Sequence, residues 1–353
     1  MLPYYQELSA DLDRIRRYLD SVAAEKRVDQ RQFAYVACMS ALYASFEHFA
    51  ERTAFRFAEI LITSPTHLLP EEVEKLQKRY VTNARSLLSQ SLGTGRYENF
   101  TELDVAKSLA SCLDDSIPYD LRMEVVSFHN ANLRWDTLAE LFNWTSKDLR
   151  VAVGKSDAFE KWVELPALSG RTATDIIDSE LKDLVDRRNE VAHRGIPDEI
   201  LSPERMLDKI AFIEVIALAL VASLGGRILE KTKAQGDSVE LGPPSEFFQK
   251  RRVVVVSLRH DVSEGDVVWA SDAENTRTRW GRILQIQLND TTVPVASAGQ
   301  EAGLKLEFTM PANSPLHLWR MPTEDLCPPP AELFGNRGPH DSSVPGPETK
   351  SDA

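Results

Sequence analysis

An arginine and a histidine near the middle of the chain are of the types that phosphodiester chemistry uses. Arg188 and His193 are separated by four residues in the run Arg-Asn-Glu-Val-Ala-His-Arg-Gly. A guanidinium is a permanent cation that holds phosphate, and imidazole titrates near neutrality. Together they supply a phosphate clamp and a proton-transfer group, which is enough to cleave RNA without a metal. The alternative is a solvated Arg188 and a His193 favoured by the dipole at a helix C-terminus.

The segment that carries this pair has the pattern of an amphipathic helix over residues 174–194. Its apolar residues recur at i, i+4, i+7 and i+8, which predicts one buried stripe: Ile177, Leu181, Leu184 and Val185. Thr174 or Asp175 is the expected N-cap, and Gly195 followed by Pro197 is the expected stop. The pair is therefore predicted to lie in the last turns of a helix.

The spacing of the pair bears on how a cleft can be assembled. Residues five positions apart on a straight helix diverge by about 140°, so one protomer is poorly placed to direct both Arg188 and His193 at one phosphate. Two copies of the helix around a twofold axis would let each cleft collect groups from both chains. The spacing predicts a homodimer through this helix.

The same run resembles the Arg-x4–6-His signature of HEPN domains, and the resemblance extends over about residues 30–230. Residues 41–50, with the pair Phe46-Glu47, look like an early helix of prokaryotic HEPN nucleases, and residues 130–138 look like a segment that opens a middle helix in one subfamily. The resemblance implies a dimeric, metal-independent endoribonuclease that uses no cofactor and acts in toxin–antitoxin or antiviral defence. An antitoxin or a defence-system protein is an implied partner.

The residues assigned to this chemistry fall into two groups. The catalytic candidates are Arg188, for the phosphate, and His193, which could assist attack by the RNA 2′-hydroxyl or protonate the leaving 5′-oxygen. The supporting or phosphate-binding candidates are Asn189, Glu47, Arg187 and Arg194. Asn189 could equally be a helix-surface amide and Glu47 an exposed carboxylate, and an ordinary solvated charge is favoured for each of the two arginines. No metal ligand is assigned, because the chain shows no metal-binding motif.

A rival hypothesis treats the chain as a binding module. In it, a HEPN dimer without catalysis uses Arg188 and His193 to stabilise the interface or to bind a nucleotide or protein. The intact Arg-Asn-x-x-Ala-His run favours the enzyme.

Composition limits where an RNA could bind. The net charge of −13 over 353 residues argues against a broad basic surface, so any RNA contact must be local.

The three cysteines show no metal or redox spacing, and the N-terminus lacks the basic and apolar regions of a secretory signal. The longest apolar stretch, residues 210–224, is too short to span a bilayer. A cytoplasmic protein without a membrane span is expected.

Hydrophobic periodicity divides the chain into an α part and a β part. Residues 1–233 are predicted to form an all-α helical bundle, 234–244 a linker, 245–322 a small β-barrel and 323–353 a disordered tail. Residues 295–308 resemble the second-domain barrel of translation GTPases, which implies that the barrel reads RNA or docks a partner.

Overall fold

In a computed structural model, the chain forms helices over residues 2–235 and then an antiparallel β region, as the sequence predicted. The structure describes residues 1–334 except 24, 26, 64–67, 115–117, 146–147, 164–169, 198, 249–250, 273–276 and 312–313. The bounds of the helices are α1 Leu2–Val22, α2 Val28–Thr63, α3 Pro70–Leu88, α4 Glu102–Leu113, α5 Met123–Val126, α6 Trp135–Glu140, α7 Leu149–Gly154, α8 Asp157–Val163, α9 Ala173–Arg194 and α10 Pro203–Gln235.

Most of the predicted helices are present, with changes in extent. The sequence also predicts helices over residues 119–128 and 134–144, but the structure forms only the single turn of α5 and the six residues of α6 there. The structure also adds α7 and α8, which the sequence did not predict. Elements this short have too few residues for a helical period to be visible, and tertiary contacts determine their conformation.

Helix α10 is the central helix of the α part. Ser202 caps its start, with Pro203 in the first turn, and Gly236 in a left-handed conformation (φ 81°) ends it. By length and composition α10 could cross a membrane, but 72% of its most apolar window is buried inside the protein. Its apolar residues pack against α1, α2, α7 and α8, which is the buried helix that the sequence predicted.

The β part closes into a barrel through one bent strand. Its strands are β1 Ser238–Gly242, β2 Pro244–Phe248, β3 Val253–Ser257, β4 Val262–Ser263, β5 Val267–Ser271, β6 Thr278–Leu288, β7 Thr291–Val293, β8 Val295–Ala296, β9 Glu301–Leu306 and β10 Leu316–Trp319. The order of the main sheet is β1-β10-β5-β6-β9-β3-β2. Only Pro243 separates β1 from β2, so the sheet curls until its two edges meet. A bulge between Glu240 and Gly242 accompanies the bend.

The predicted linker and the start of the predicted tail differ from the structure. Residues 234–244 contain the last turn of α10, strand β1 and the start of β2 rather than an unstructured connection. Within residues 323–334, Leu326 and Leu333 are fully buried in the same cluster as α10. Pro- and Gly-rich composition suggested irregular, exposed chain in both places, but β1 pairs with β10 and the two leucines enter the core. Residues 335–353 lie outside the described residues.

The barrel and the helices share an apolar core. Trp269 and Trp280 of the barrel belong to the helical core cluster, and Arg279 of β6 donates to Asp157 of α8 at 2.7 Å. Two adjacent glycines of α10 permit the contact, because a Cβ on Gly225 would lie 2.6 Å from Trp280 and one on Gly226 would lie 2.9 Å from Thr278. The α and β parts therefore share buried contacts along α10 and α8.

Gly225→Ala is expected to lower the free energy of unfolding by about 1–3 kcal/mol, the usual cost of overpacking a core. Trp280 cannot move aside easily, because it is fully buried and its Nε1 donates to the carbonyl of Leu326 at 2.7 Å. Helix propensity alone predicts the opposite sign, a gain of about 1 kcal/mol for alanine over glycine. Urea unfolding measures whether Gly225→Ala lowers or raises the free energy of unfolding. A stabilised variant would show that the α part and the β part are not in close contact at α10.

Candidate active site

Helix α9 presents the Arg–His run on its last two turns. Thr172 caps the helix by accepting from the backbone N–H of Asp175 at 3.2 Å, two residues before the earlier of the two predicted caps. Gly195, at φ 76°, ends it as predicted. The predicted apolar stripe is buried, which fixes the rotation of the helix and leaves Arg188 partly exposed on one side.

The Arg188 guanidinium lies over an aromatic ring and faces a cleft. Its central carbon is 5.0 Å from the centre of the Tyr43 ring, a cation–π arrangement. Its NH1 donates to Asn189 Oδ1 at 3.3 Å. Among the residues that the structure describes, no carboxylate forms an ion pair with it. Arg188 thus has hydrogen-bond donors available for an anionic ligand in this cleft, whose volume is about 570 Å³.

A hydrogen-bond network holds the residues around Arg188. The Asn132 side chain donates to Asn189 Oδ1 at 2.9 Å. The Tyr43 hydroxyl accepts from the backbone N–H of Leu133 at 3.0 Å and lies 3.1 Å from Glu47 Oε1, to which it can donate. Burial raises the pKa of Tyr43, so the hydroxyl stays neutral. The segment before α6 therefore fixes both Asn189 and the ring beneath Arg188.

His129 forms the other side of the cleft and is held by two oxygen acceptors. Its Nδ1 lies 2.7 Å from the carbonyl of Ala131, and its Nε2 lies 2.9 Å from Glu51 Oε1 and 3.9 Å from Glu47 Oε1. Burial acts to lower the pKa of His129, but the hydrogen bonds to Glu51 and Ala131 outweigh it and the net pKa is raised. Because a carbonyl only accepts, Nδ1 carries a proton, and the carboxylate favours a second proton on Nε2.

Glu51 is a buried carboxylate shared by two cations. Arg96 pairs with it from one side and His129 from the other. Burial acts to raise the pKa of Glu51, but the hydrogen bond from His129 and the charge of Arg96 outweigh it and the net pKa is lowered. Glu51 therefore stays ionised and keeps both cations in place.

Cations predominate on the surface of the cleft. It is lined by Arg96, His129, Arg134 and Arg188 against the single carboxylate of Glu47. Arg134 is also paired with Asp186 at 2.7 Å, outside the lining. In a chain of net charge −13 this is a local concentration of positive charge, of the kind that the composition required of any RNA-binding cleft.

Three residues of the cleft have the chemistry of a metal site. One ligand atom each from Glu47, Glu51 and His129 lies within 4.8 Å of the others, and carboxylate and imidazole suit a divalent transition metal. Arg96 and His129 already neutralise Glu51, however. A metal ion would have to displace both contacts.

The structure brings three of the six predicted site residues together and leaves three outside. Arg188, Asn189 and Glu47 meet around Tyr43. His193 is exposed at the end of α9 and is not part of the cleft lining. Arg187 pairs with Asp183 at 3.0 Å and Arg194 with Glu190 at 3.6 Å. Both arginines are thus ion-paired along α9, and neither lines the cleft.

Sequence reasoning missed Tyr43, Glu51, Arg96 and His129 as members of the site. A signal existed in α2, where Tyr43, Glu47 and Glu51 recur at i, i+4 and i+8. Polar residues in that spacing share one face. Arg96 and His129 carried no such signal, because Arg96 lies in a single 3-10 turn and His129 in a loop, both distant in sequence from α2.

The Arg-x4-His run lies at the exposed end of α9, beside a cleft lined mostly by cations. The family model described as RiboL-PSP-HEPN matches residues 6–225, which is more than half of the chain. The chain therefore belongs to this family. No curated protein matches it. The family match ends before the barrel, whose resemblance to translation GTPases stays a prediction.

Proposed function

We propose that this chain is an endoribonuclease of the HEPN type that cleaves RNA without a metal ion. The observation that carries the proposal is the Arg188 guanidinium, stacked on Tyr43 and facing a cationic cleft with no ion-pair partner among the described residues. Such an arginine is suited to hold a phosphate and to stabilise the charge of a phosphorane-like transition state. Membership in the family supports an RNA-related role.

The proposed reaction is an internal transfer of the phosphodiester. The RNA 2′-oxygen attacks phosphorus and loses its proton, a bond from that oxygen to phosphorus forms, and the bond from phosphorus to the 5′-oxygen breaks. The leaving 5′-oxygen takes up a proton. The products are a 2′,3′-cyclic phosphate and a free 5′-hydroxyl, and His193 serves in one of the two proton transfers.

A homodimer completes the proposed site. Within one protomer, His193 is exposed and outside the cleft that Arg188 faces, so a second protomer would have to bring its histidine to that cleft. Apolar surface next to His193 supports such pairing, since Phe33 is 60% and Ile196 41% exposed. Gln32 donates to the carbonyl of Pro197 at 3.4 Å, which places the start of α2 beside the end of α9.

The biological setting follows from the family resemblance. A metal-free ribonuclease of this class suits a cytoplasmic toxin or an antiviral-defence effector, restrained by an antitoxin or another defence protein. The barrel would then supply substrate or partner specificity. Its rigid packing on α10 supports a fixed position relative to the cleft.

The test is cleavage of single-stranded RNA by the full chain in the presence of a chelator. We expect cutting to persist, and mass spectrometry to find 2′,3′-cyclic phosphate ends. Loss of activity in chelator, restored by a divalent metal, would assign the reaction to a metal at Glu47, Glu51 and His129 instead. If the chain binds RNA but never cuts it, the binding-module hypothesis replaces the enzyme.

A further inference from the structure

A polar face of α2 runs along the cleft and contributes Glu47 to its lining, with a cation near each end of this face. Tyr43, Glu47 and Glu51 lie on this face at i, i+4 and i+8. Arg188 stacks over Tyr43 at one end, and Arg96 pairs with Glu51 at the other. Eight residues of helix extend about 12 Å. The two cations therefore contact α2 residues two turns apart, so that each can hold a phosphate of its own.

The Arg96 end holds an exposed guanidinium in front of a buried carboxylate. Glu51 is shared by Arg96 and by His129, and Glu47 lies 3.9 Å from His129 Nε2. Arg96 is 52% exposed and lines the cleft, whereas Glu51 is buried behind it. A guanidinium has five N–H donors, so Arg96 can keep its pair with Glu51 and still bind an anion from the cleft.

Between the two cations, Glu47 offers an acceptor to the cleft. Its Oε1 is 3.1 Å from the Tyr43 hydroxyl and 3.9 Å from His129 Nε2, and its side chain is partly exposed. Along α2 the cleft thus presents a cation, a carboxylate and a second cation. This order matches a phosphate, a ribose hydroxyl that donates, and a further phosphate of a nucleic-acid strand.

We propose that Arg96, backed by His129, is a second phosphate subsite, so that the cleft takes a single RNA strand along α2 with one phosphate at Arg188 and another at Arg96. The proposal rests on the proposed RNA function. It adds a requirement on the single-stranded substrate: at least one phosphate beyond the scissile one. Glu47 lies where it can accept from a ribose 2′-hydroxyl, which deoxyribose lacks.

The test is the salt dependence of RNA binding, measured by fluorescence anisotropy in a His193→Ala background so that the probe stays intact. With a short single-stranded RNA, Arg96→Gln is expected to weaken binding about tenfold at low salt, as for loss of a charged hydrogen bond. The slope of log affinity against log salt should fall by about 0.7, the value for one phosphate contact on a single strand. Binding of a dinucleotide, which has one internal phosphate, should not change.

Two further variants show whether the effect of Arg96→Gln comes from the lost charge at this position. Arg96→Lys keeps the cation and should keep the slope. Arg122→Gln removes an exposed arginine that is also paired with an acid, Asp120, outside the cleft, and should have no effect. An unchanged slope in Arg96→Gln overturns the subsite, as does a parent chain that binds no RNA. If the parent binds RNA as described but never cuts it, only the ribonuclease proposal fails.

Discussion

His193→Ala is expected to slow RNA cleavage by about 10²–10⁴-fold, the usual loss when a proton-transfer group is removed. The side chain is exposed at the end of α9, so its loss should leave the fold intact. Arg188→Ala is expected to cost a similar factor, because the transition-state phosphate loses its clamp. Arg188→Lys should restore only part of the rate, since an ammonium lacks the planar fork of donors. Single-turnover cleavage of a labelled RNA measures each effect.

Lys182→Ala is the matched control for these variants. Lys182 is an exposed cation on the same helix, and its removal should leave the rate within twofold, or about 0.4 kcal/mol. Cleavage by His193→Ala at the parent rate would remove the histidine from the mechanism. His129, the imidazole within the cleft, would then be the next group to test.

Mixing the two inactive variants tests whether the site is shared. If Arg188 and His193 act from opposite protomers, half of the dimers in an equilibrated mixture carry one intact site, and about a quarter of the parent activity returns. If both groups act within one protomer, each heterodimer has a defect in both sites, and the mixture stays inactive. Light scattering at the same concentration should show a dimer.

Glu72→Gln is expected to lower the free energy of unfolding by about 3–5 kcal/mol, the cost of breaking a buried ion pair. Glu72 is 1% exposed and joins α3 to α10 by pairing with Arg227 and, at 2.8 Å, with Lys231. Its Oε2 also accepts from the backbone N–H of Leu69 at the start of α3. The neutral amide would remove the negative charge that two largely buried cations share. The midpoint of urea unfolding measures the loss.

The neighbouring residue provides the control. Glu71 stands in the same first turn of α3 but is exposed, so Glu71→Gln should change the free energy of unfolding by no more than about 0.5 kcal/mol. A loss below about 1 kcal/mol in Glu72→Gln would show that water or rearrangement compensates the two cations. The assigned role of the pair in fastening α3 to α10 would then be wrong.

The local pattern of apolar residues was enough to predict an element wherever that element was long and had one buried face. The apolar period of α9 and its glycine stop were visible in the sequence, and so was the division of the chain into an α part and a β part. These features depend on neighbours within a few turns, which the sequence displays directly. Elements of one or two turns, such as α5 and α7, carry too little pattern and depend on their surroundings.

The sequence by itself determined which residue types meet in the motif, and that Arg188 and His193 diverge around the axis of α9. Only the tertiary structure decided that Arg188 stacks on Tyr43, that Arg96 and His129 share Glu51, and that His193 stays outside the cleft of its own protomer. It also decided that the barrel is packed on α10 through Gly225 and Gly226 rather than tethered by a linker. The reason is that helical period is a local property, whereas these contacts join residues far apart in the chain and form only when the apolar core fixes the rotation of each helix.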